Sequence, residues 1–134
     1  MLSMRELMLM VEMTERPREG PPVPDMLYHG TSLSAWEMIQ SDNTMIASDH
    51  RDEESISFTT DWHTAQRFAL QGARRDGDDS GVVIEFNGDD LARKFNVKPF
   101  SDTGLIHAES EWRIDVSEIT QVNRYISGVE KVGW

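Results

Sequence analysis

Cysteine is absent from this chain of 134 residues, which excludes disulfide bonds and thiolate-based zinc sites and favours a reducing compartment. The sequence has no apolar run long enough to span a bilayer and no secretory signal pattern, so we expect a cytoplasmic protein without a membrane partner. GxGxxG and GxxxxGK(S/T) phosphate loops, HExxH metal motifs and GxSxG nucleophile motifs are also missing. We therefore expect no bound metal ion and none of the chemistry that these loops and motifs carry.

Positive charge is scarce. Thirteen Lys and Arg against 24 Asp and Glu give a formal net charge of −11. The acidic excess is concentrated in residues 42–90, with twelve acidic and four basic residues, whereas residues 91–134 carry six of each. Proteins that bind a phosphate backbone usually carry a basic patch, which disfavours that mode of binding here. The acidic stretch is either a solvated surface or a surface that covers a basic partner.

The sequence pattern predicts that the chain has two parts. Residues 1–25 form an N-terminal arm, with a short amphipathic helix predicted at 2–13 and a proline-rich segment at 16–25. Residues 26–134 form one compact domain. In it, alternating patterns predict strands at 26–30, 55–60, 81–86, 97–100, 111–116 and 119–126, and helices at 32–40, 62–75 and 87–95. Since the later strands follow one another directly, we expect an α+β fold with small mixed or antiparallel sheets.

The two longer helices have predicted caps and predicted buried faces. Ser32 or Ser34 is expected to cap the first helix, and Asp61 the second. The apolar spacing predicts two inward-facing sets: Leu33, Trp36, Ile39 and Met38 in the first helix, and Trp62, Ala65, Phe68 and Ala69 in the second.

Polar residues stand at three positions where strands are expected to end or turn. His29, Gly30 and Thr31 leave the first strand, where a glycine allows a ligand to approach the backbone and an imidazole can bond a hydroxyl; a turn histidine is the structural alternative. Ser57 and Thr59, two residues apart, share one face of the second strand, which is otherwise simply the polar face of a half-exposed strand.

The third position is a pair of carboxylates. Glu109 and Glu111 are two residues apart in an extended segment, so they point to the same side. Two like charges this close are mildly unfavourable, and a functional role of the pair would explain their presence. The alternative is a charged strand entrance in which Arg113 neutralises one glutamate.

The order of these segments resembles the ADP-ribosyltransferase superfamily over about residues 26–126: Tyr-His-Gly-Thr-Ser, a helix, Ser-Phe-Thr-Thr-Asp with Ala-x-x-Phe-Ala, Gly-Val-Val-Ile-Glu-Phe, and Glu-Ser-Glu-Trp-Arg-Ile. The resemblance implies a split β-sandwich with flanking helices, in which two small sheets hold NAD+ in a cleft. It also implies cleavage of the nicotinamide–ribose bond and transfer of ADP-ribose to a protein or nucleic-acid acceptor. We expect such a protein to act in the cytoplasm of a bacterial or phage-infected cell, as a toxin or phage effector.

The resemblance also implies roles for residues that would bind NAD+. In the first motif, His29 would bond the adenosine-side ribose, the Gly30 backbone would hold the nicotinamide carboxamide, and Thr31 would complete the motif. The second motif falls on Ser57, Phe58 and Thr59. The family's alternative second motif is a tyrosine that stacks on nicotinamide, and no tyrosine follows at a suitable distance, which leaves Phe68 or Trp62 for that role.

Glu111 would be the catalytic residue in this resemblance, and Glu109 would position or deprotonate the incoming nucleophile. Breaking the nicotinamide–ribose bond builds positive charge on the sugar, which an ionised carboxylate opposes.

Three other assignments share parts of the pattern. The tRNA 2′-phosphotransferases carry a similar His-Gly-Thr-Ser segment but depend on arginines and a histidine for phosphate and have no Glu-x-Glu-Trp. The small rifamycin-modifying ADP-ribosyltransferases share the Tyr-His-Gly-Thr start but use an aspartate in the third motif. A non-enzymatic inhibitor or binding protein on the same scaffold would use the acidic stretch and the N-terminal arm to cover a basic partner.

Overall fold

The computed structural model describes residues 22–50, 53–100 and 111–134. The predicted helix at 2–13 and the first part of the proline-rich segment lie outside these ranges. The described residues form three helices: α1 (Leu33–Asp42), α2 (Trp62–Asp76) and α3 (Gly88–Lys94). The strands are β1 (Met26–Ser32), β2 (Thr44–Ile46), β3 (Ser48–His50), β4 (Glu53–Thr59), β5 (Gly81–Asn87), β6 (Lys98–Pro99), β7 (Glu111–Ile114), β8 (Glu118–Thr120) and β9 (Ile126–Val132).

The main sheet has the strand order β6-β7-β4-β1-β5-β9, and β3 pairs with β4 outside that path. Every strand pair among the described residues is antiparallel. Strands β2 and β8 form a second, two-stranded sheet. The predicted α+β class with antiparallel sheets is therefore confirmed. None of the helices in the described ranges is both long and apolar enough to cross a membrane.

One face of the main sheet carries the larger apolar core. Alternation along the strands turns one apolar set of side chains to this face: Leu27, Ile56, Phe58, Ile84, Phe86, Trp112 and Ile114. They pack in one cluster with Trp36 and Ile39 of α1, Met45 and Ile119 of the small sheet, and Val122 of a 3₁₀ turn that precedes β9. This core holds β1, β4 and β7 in place from one side.

The opposite face is covered over β1 and β5 by α2. The helix approaches through small residues, since Ala65, Ala69 and Ala73 are fully buried. A Cβ atom on Gly30 would lie 1.9 Å from the carbonyl oxygen of Ala65, and one on Gly81 would lie 2.5 Å from that of Ala69. Both glycines are therefore required by the close packing of the helix on the sheet.

Side-chain hydroxyls and carboxylates fix the ends of α1 and α2. Of the two predicted caps, Ser32 is the one that caps α1, because its Oγ accepts a hydrogen bond from the Ala35 N–H at 3.1 Å. The same hydroxyl donates to Asp76 Oδ2 at 2.6 Å. Asp61 stands at the N-cap of α2, where its carboxylate accepts from Thr64 Oγ1 at 2.6 Å. This bond is the main reason why the pKa of Asp61 is lowered.

Some predicted elements differ from the structure. The single strand expected at 119–126 is instead β8, the 3₁₀ turn Val122–Tyr125 and the start of β9. Two side chains expected to face inward are largely exposed, Met38 at 64% and Phe68 at 53%. In α2 the buried stripe is narrow because alanines and a glycine contact the sheet directly, which leaves the wide Phe68 ring outside.

The ends of the segment 101–110 meet at a main-chain hydrogen bond. The Phe100 N–H donates to the Glu111 carbonyl oxygen at 2.9 Å. Since β6 pairs with β7 through Lys98–Arg113 and Pro99–Trp112, this bond continues the ladder by one step. The last residue before the segment and the first residue after it are therefore held side by side.

Candidate functional site

The strand order places the three predicted motifs on adjacent strands. His29 lies on β1, Ser57 and Thr59 on β4, and Glu111 at the first position of β7. These strands are neighbours in the sheet although 28 residues separate His29 from Ser57 and 54 separate Ser57 from Glu111. Folding thus brings these strands together, but the register turns the His29 side chain to the apolar-core face with Ile84 and those of Ser57 and Glu111 to the opposite face.

His29 is a half-buried residue whose ring meets Phe58 edge-on, with 6.1 Å between the ring centroids. Its Nδ1 lies 2.7 Å from the carbonyl oxygen of Ser57. Because a carbonyl oxygen can only accept, Nδ1 carries the hydrogen, and in the neutral ring Nε2 keeps an acceptor lone pair.

Burial lowers the pKa of the His29 ring, and the hydrogen bond to the Ser57 carbonyl opposes this effect without outweighing it. The ring is therefore neutral at pH 7. A neutral ring with a fixed Nδ1–H offers one acceptor of known position, as recognition of a hydroxyl donor requires.

The sheet is joined only narrowly where His29 lies. Strands β1 and β4 share one residue pair, Tyr28 with Thr59, whereas β1 and β5 share seven. Beyond Tyr28, the His29 side chain makes the contact with β4 that a continued ladder would make through the main chain. The main sheet is thus divided at β1 and β4 into two halves bridged by an imidazole.

Glu111 receives two contacts on one oxygen. Ser57 Oγ and Arg113 Nη2 both donate to Glu111 Oε2, each at 3.4 Å, which is long for a hydrogen bond. Pairing of β4 with β7 sets Thr59 opposite Glu111 and Ser57 opposite Arg113, so these side chains share one face of the sheet. The Glu111 side chain is 38% exposed, which leaves its carboxylate accessible to a ligand.

Arg113 is held more firmly than the carboxylate it contacts. Its side chain is 17% exposed, and its guanidinium carbon lies 3.4 Å from the centroid of the Phe100 ring. The stacked and partly buried guanidinium offers a fixed donor to Glu111. From the sequence, Arg113 was expected only to neutralise one of the carboxylates. No sequence pattern predicts its contact with Phe100.

Three other residues predicted for the site have structural contacts or lie away from the three motifs. Phe58 is 2% exposed and packs on Phe86, with 5.1 Å between the ring centroids. Thr59 is buried, and its Oγ1 accepts from the Asp61 N–H at 3.1 Å. Phe68 lies on the exposed side of α2. Phe58 thus supports the core and Thr59 the start of α2, and no hydrogen bond among the described residues joins the Thr59 hydroxyl to His29, Ser57 or Glu111.

The first motif lies inside β1 rather than at its end. The strand continues to Ser32, with Gly30 opposite Val83 and Thr31 opposite Val82. The expected strand exit at His29–Gly30 is therefore wrong, and the missing Gly30 side chain is explained by the approach of Ala65. The main-chain groups of Gly30 lie in the plane of the sheet. Glu109 lies outside the described residues.

Two concave surfaces lie near these strands, and the sequence indicated neither. One has a volume of about 450 Å³ and is lined by Glu54, Lys98, Phe100, Arg113 and Asp115, with an ion pair between Lys98 and Asp115. The other, of about 280 Å³, lies beside the first turn of α2. Among the described residues, no three His, Asp or Glu side chains are grouped so that they could hold a metal ion.

A scan against protein-family models finds no match, and a search of curated proteins finds no relative. The function is therefore inferred from the residues and their geometry.

Proposed function

We propose that this protein transfers ADP-ribose from NAD+ to a protein or nucleic-acid acceptor. The observation that supports this most strongly is the chain of contacts from the His29 ring to the Ser57 main chain, and from the Ser57 hydroxyl to Glu111. The ADP-ribosyltransferase resemblance rests on these three motifs, and they lie on adjacent strands here.

The narrow junction between β1 and β4 supports the finer fold proposal, an ADP-ribosyltransferase-like split sandwich. The one pair between Tyr28 and Thr59 divides the main sheet into a half with β1, β5 and β9 and a half with β4, β7 and β6. We place NAD+ along this division, where β1 and β4 are largely unpaired and where His29 and Glu111 reach the opening from opposite faces of the sheet.

Glu111 is the proposed catalytic residue. Ser57 and Arg113 hold its Oε2, and the partly exposed carboxylate can accept a hydrogen bond from a ribose hydroxyl. In that position its negative charge opposes the positive charge that grows on the ribose as the bond to nicotinamide breaks. A preorganised group of this kind contributes roughly 10²–10³ in rate.

His29 is proposed to bind the ribose on the adenosine side. Its lowered pKa keeps the ring neutral, so Nε2 can accept from a ribose hydroxyl while Nδ1–H stays bonded to Ser57. The Gly30 main chain and Glu109 keep the roles that the resemblance gives them, in holding the carboxamide and in positioning the nucleophile.

Substitution of the catalytic carboxylate tests this function. The full chain is incubated with NAD+ labelled in the adenosine moiety and with a cell lysate, and transfer of label to macromolecules is measured. Glu111→Gln should fold normally and transfer label about 10²–10³-fold more slowly. The matched control is Glu118→Gln, an exposed carboxylate of the small β2–β8 sheet, which should transfer at the unaltered rate.

Two outcomes would contradict the proposal. If Glu111→Gln transfers label as fast as the unaltered chain, the carboxylate has no catalytic role. If the unaltered chain transfers no label to any acceptor and consumes no NAD+, the scaffold serves binding alone.

A further inference from the structure

The groove beside the first turn of α2 combines aromatic and acidic side chains. Its volume is about 280 Å³, and Tyr28, Trp62, Glu85, Gly128 and Glu130 contribute to its lining. This volume is below the range usual for nucleotide- or drug-sized ligands and suits the end of one side chain.

The register of β1, β5 and β9 turns both carboxylates toward the face that α2 covers. Glu85 lies between Tyr28 on β1 and Gly128 on β9, and Glu130 lies opposite Val83. Gly128 leaves the space beside Glu85 open, since a Cβ atom there would lie 3.5 Å from Glu85 Oε1. A glycine on the edge strand thus exposes a carboxylate to the groove.

Glu85 is also oriented. The register of β5 and β9 shifts between Glu85 and Phe86, so that Ser127 has no opposite residue. The Ser127 hydroxyl donates to Glu85 Oε1 at 2.9 Å. Such bulges re-aim side chains, and here the bulged serine fixes one carboxylate oxygen.

The aromatic walls are fixed by packing. Tyr28 and Trp62 are half-buried and pack against the cluster of Ala65, Ala69 and Val83 under α2. Aromatic faces and carboxylates both attract cations. The residues that line the groove include no lysine or arginine, so nothing in the lining offsets that attraction.

We propose that this groove binds an arginine side chain of a basic protein partner. A guanidinium is planar, so it stacks on Tyr28 or Trp62 while it donates two hydrogen bonds to a carboxylate, which the more compact ammonium of lysine cannot do. The net charge of −11 and the acidic excess of residues 42–90, which include Glu85, favour a basic partner and disfavour a nucleic acid. This binding goes beyond ADP-ribosyl transfer and does not depend on it.

A peptide titration tests the groove directly. The full chain, without NAD+, is titrated with a glycine-flanked peptide carrying one arginine, followed by tryptophan fluorescence and calorimetry. The same peptide with citrulline, which has nearly the same shape and no charge, is the matched ligand. The arginine peptide should bind about tenfold or more tightly than the citrulline peptide, and a lysine peptide should bind between the two.

Substitutions locate the site. Glu85→Gln and Glu130→Gln should each weaken arginine binding severalfold, and Trp62→Leu should do the same through loss of the aromatic wall. Glu118→Gln removes the same charge on the small sheet and should leave binding unaltered. Circular dichroism of each variant checks that the fold is retained.

Equal binding of the arginine and citrulline peptides would overturn the proposal. So would an equal loss of binding in Glu118→Gln and Glu85→Gln, because it would show attraction to net charge rather than to the groove. Since NAD+ is absent, neither result depends on whether the chain transfers ADP-ribose.

Discussion

The two halves of the main sheet differ in how they are built. Strands β1 and β5 share seven residue pairs, and α2 packs on them so closely that Gly30 and Gly81 leave no room for a side chain. Strands β4 and β7 share four pairs, their neighbour β6 has two residues, and their outer face carries Ser57, Glu111 and Arg113. The first half is a rigid support, and the second half presents polar groups that water and ligands can reach.

Gly30→Ala should have the largest effect on the first half. Its Cβ atom would overlap the Ala65 carbonyl oxygen, so helix and strand must move apart, and we expect the free energy of unfolding to fall by about 3 kcal/mol. Urea unfolding measures the change. The control is Gly133→Ala, where no atom lies within 4 Å and stability should not change. Unaltered stability in Gly30→Ala would show that α2 does not pack tightly on β1.

Arg113→Gln should affect function in the second half more than stability. Loss of the guanidinium frees Glu111 Oε2 from one of its two donors, so we expect ADP-ribosyl transfer to slow about tenfold while NAD+ affinity stays within a factor of two. Arg113→Lys keeps the charge without the planar stack on Phe100 and should recover only part of the rate. Arg93→Gln, at an exposed position of α3, is the control. A change in NAD+ affinity without a change in transfer rate would contradict the role of positioning Glu111.

His29→Gln should alter the pH dependence of stability, because the ring bridges the two halves. The pKa of the folded chain is lower than the unfolded value of about 6.5, so the unfolded chain binds the proton more readily. This contribution to stability is present above pH 6.5 and is lost as the pH falls from there through the folded-state pKa. We measure the urea concentration at the midpoint of unfolding at several pH values from 7.5 to 5. As the pH falls, this midpoint should decrease less in His29→Gln than in the unaltered chain. Thr31→Val should keep the original slope.

The smallest effect is expected at the first turn of α2. Thr64→Ala removes the main hydrogen bond that lowers the pKa of Asp61, so this pKa should rise toward its ordinary value. The bonds from Ser34 lower the pKa of Asp78, beyond the other end of the helix, in the same way. Carboxyl titrations by NMR should show that Thr64→Ala shifts Asp61 alone and that Ser34→Ala shifts Asp78 alone. A shift of both groups in either variant would mean that the two helix ends are coupled.

The sequence was informative where local patterns determine structure. The apolar run of residues 81–86 predicted β5, and the hydroxyls before the next helix narrowed its cap to Ser32 or Ser34. The sequence also singled out His29, Ser57 and Glu111, because each interrupts a strand pattern with a polar side chain, and these residues lie on the adjacent strands β1, β4 and β7.

The rest depended on contacts between distant segments. Strands β2, β3 and β8 have three residues each, which is too short for an alternating pattern, and β9 has Gly128 and two charges in its seven residues. The packing reason for a glycine at position 30 was not predicted, because the approach of Ala65, 35 positions later, leaves no local trace. Phe68 was placed inside for the same reason, since only the tight alanine contact excludes it.

The hydrogen bond between Phe100 and Glu111 has a consequence for how this protein can vary. Lengthening the chain between two positions that are held together costs little, about 0.6 kcal/mol for each doubling of its length. Residues inserted or deleted between positions 100 and 111 would thus leave Glu111, the proposed catalytic carboxylate, anchored at the same place on the sheet. A change of length in this stretch would therefore alter what surrounds Glu111 without moving Glu111 along the sheet.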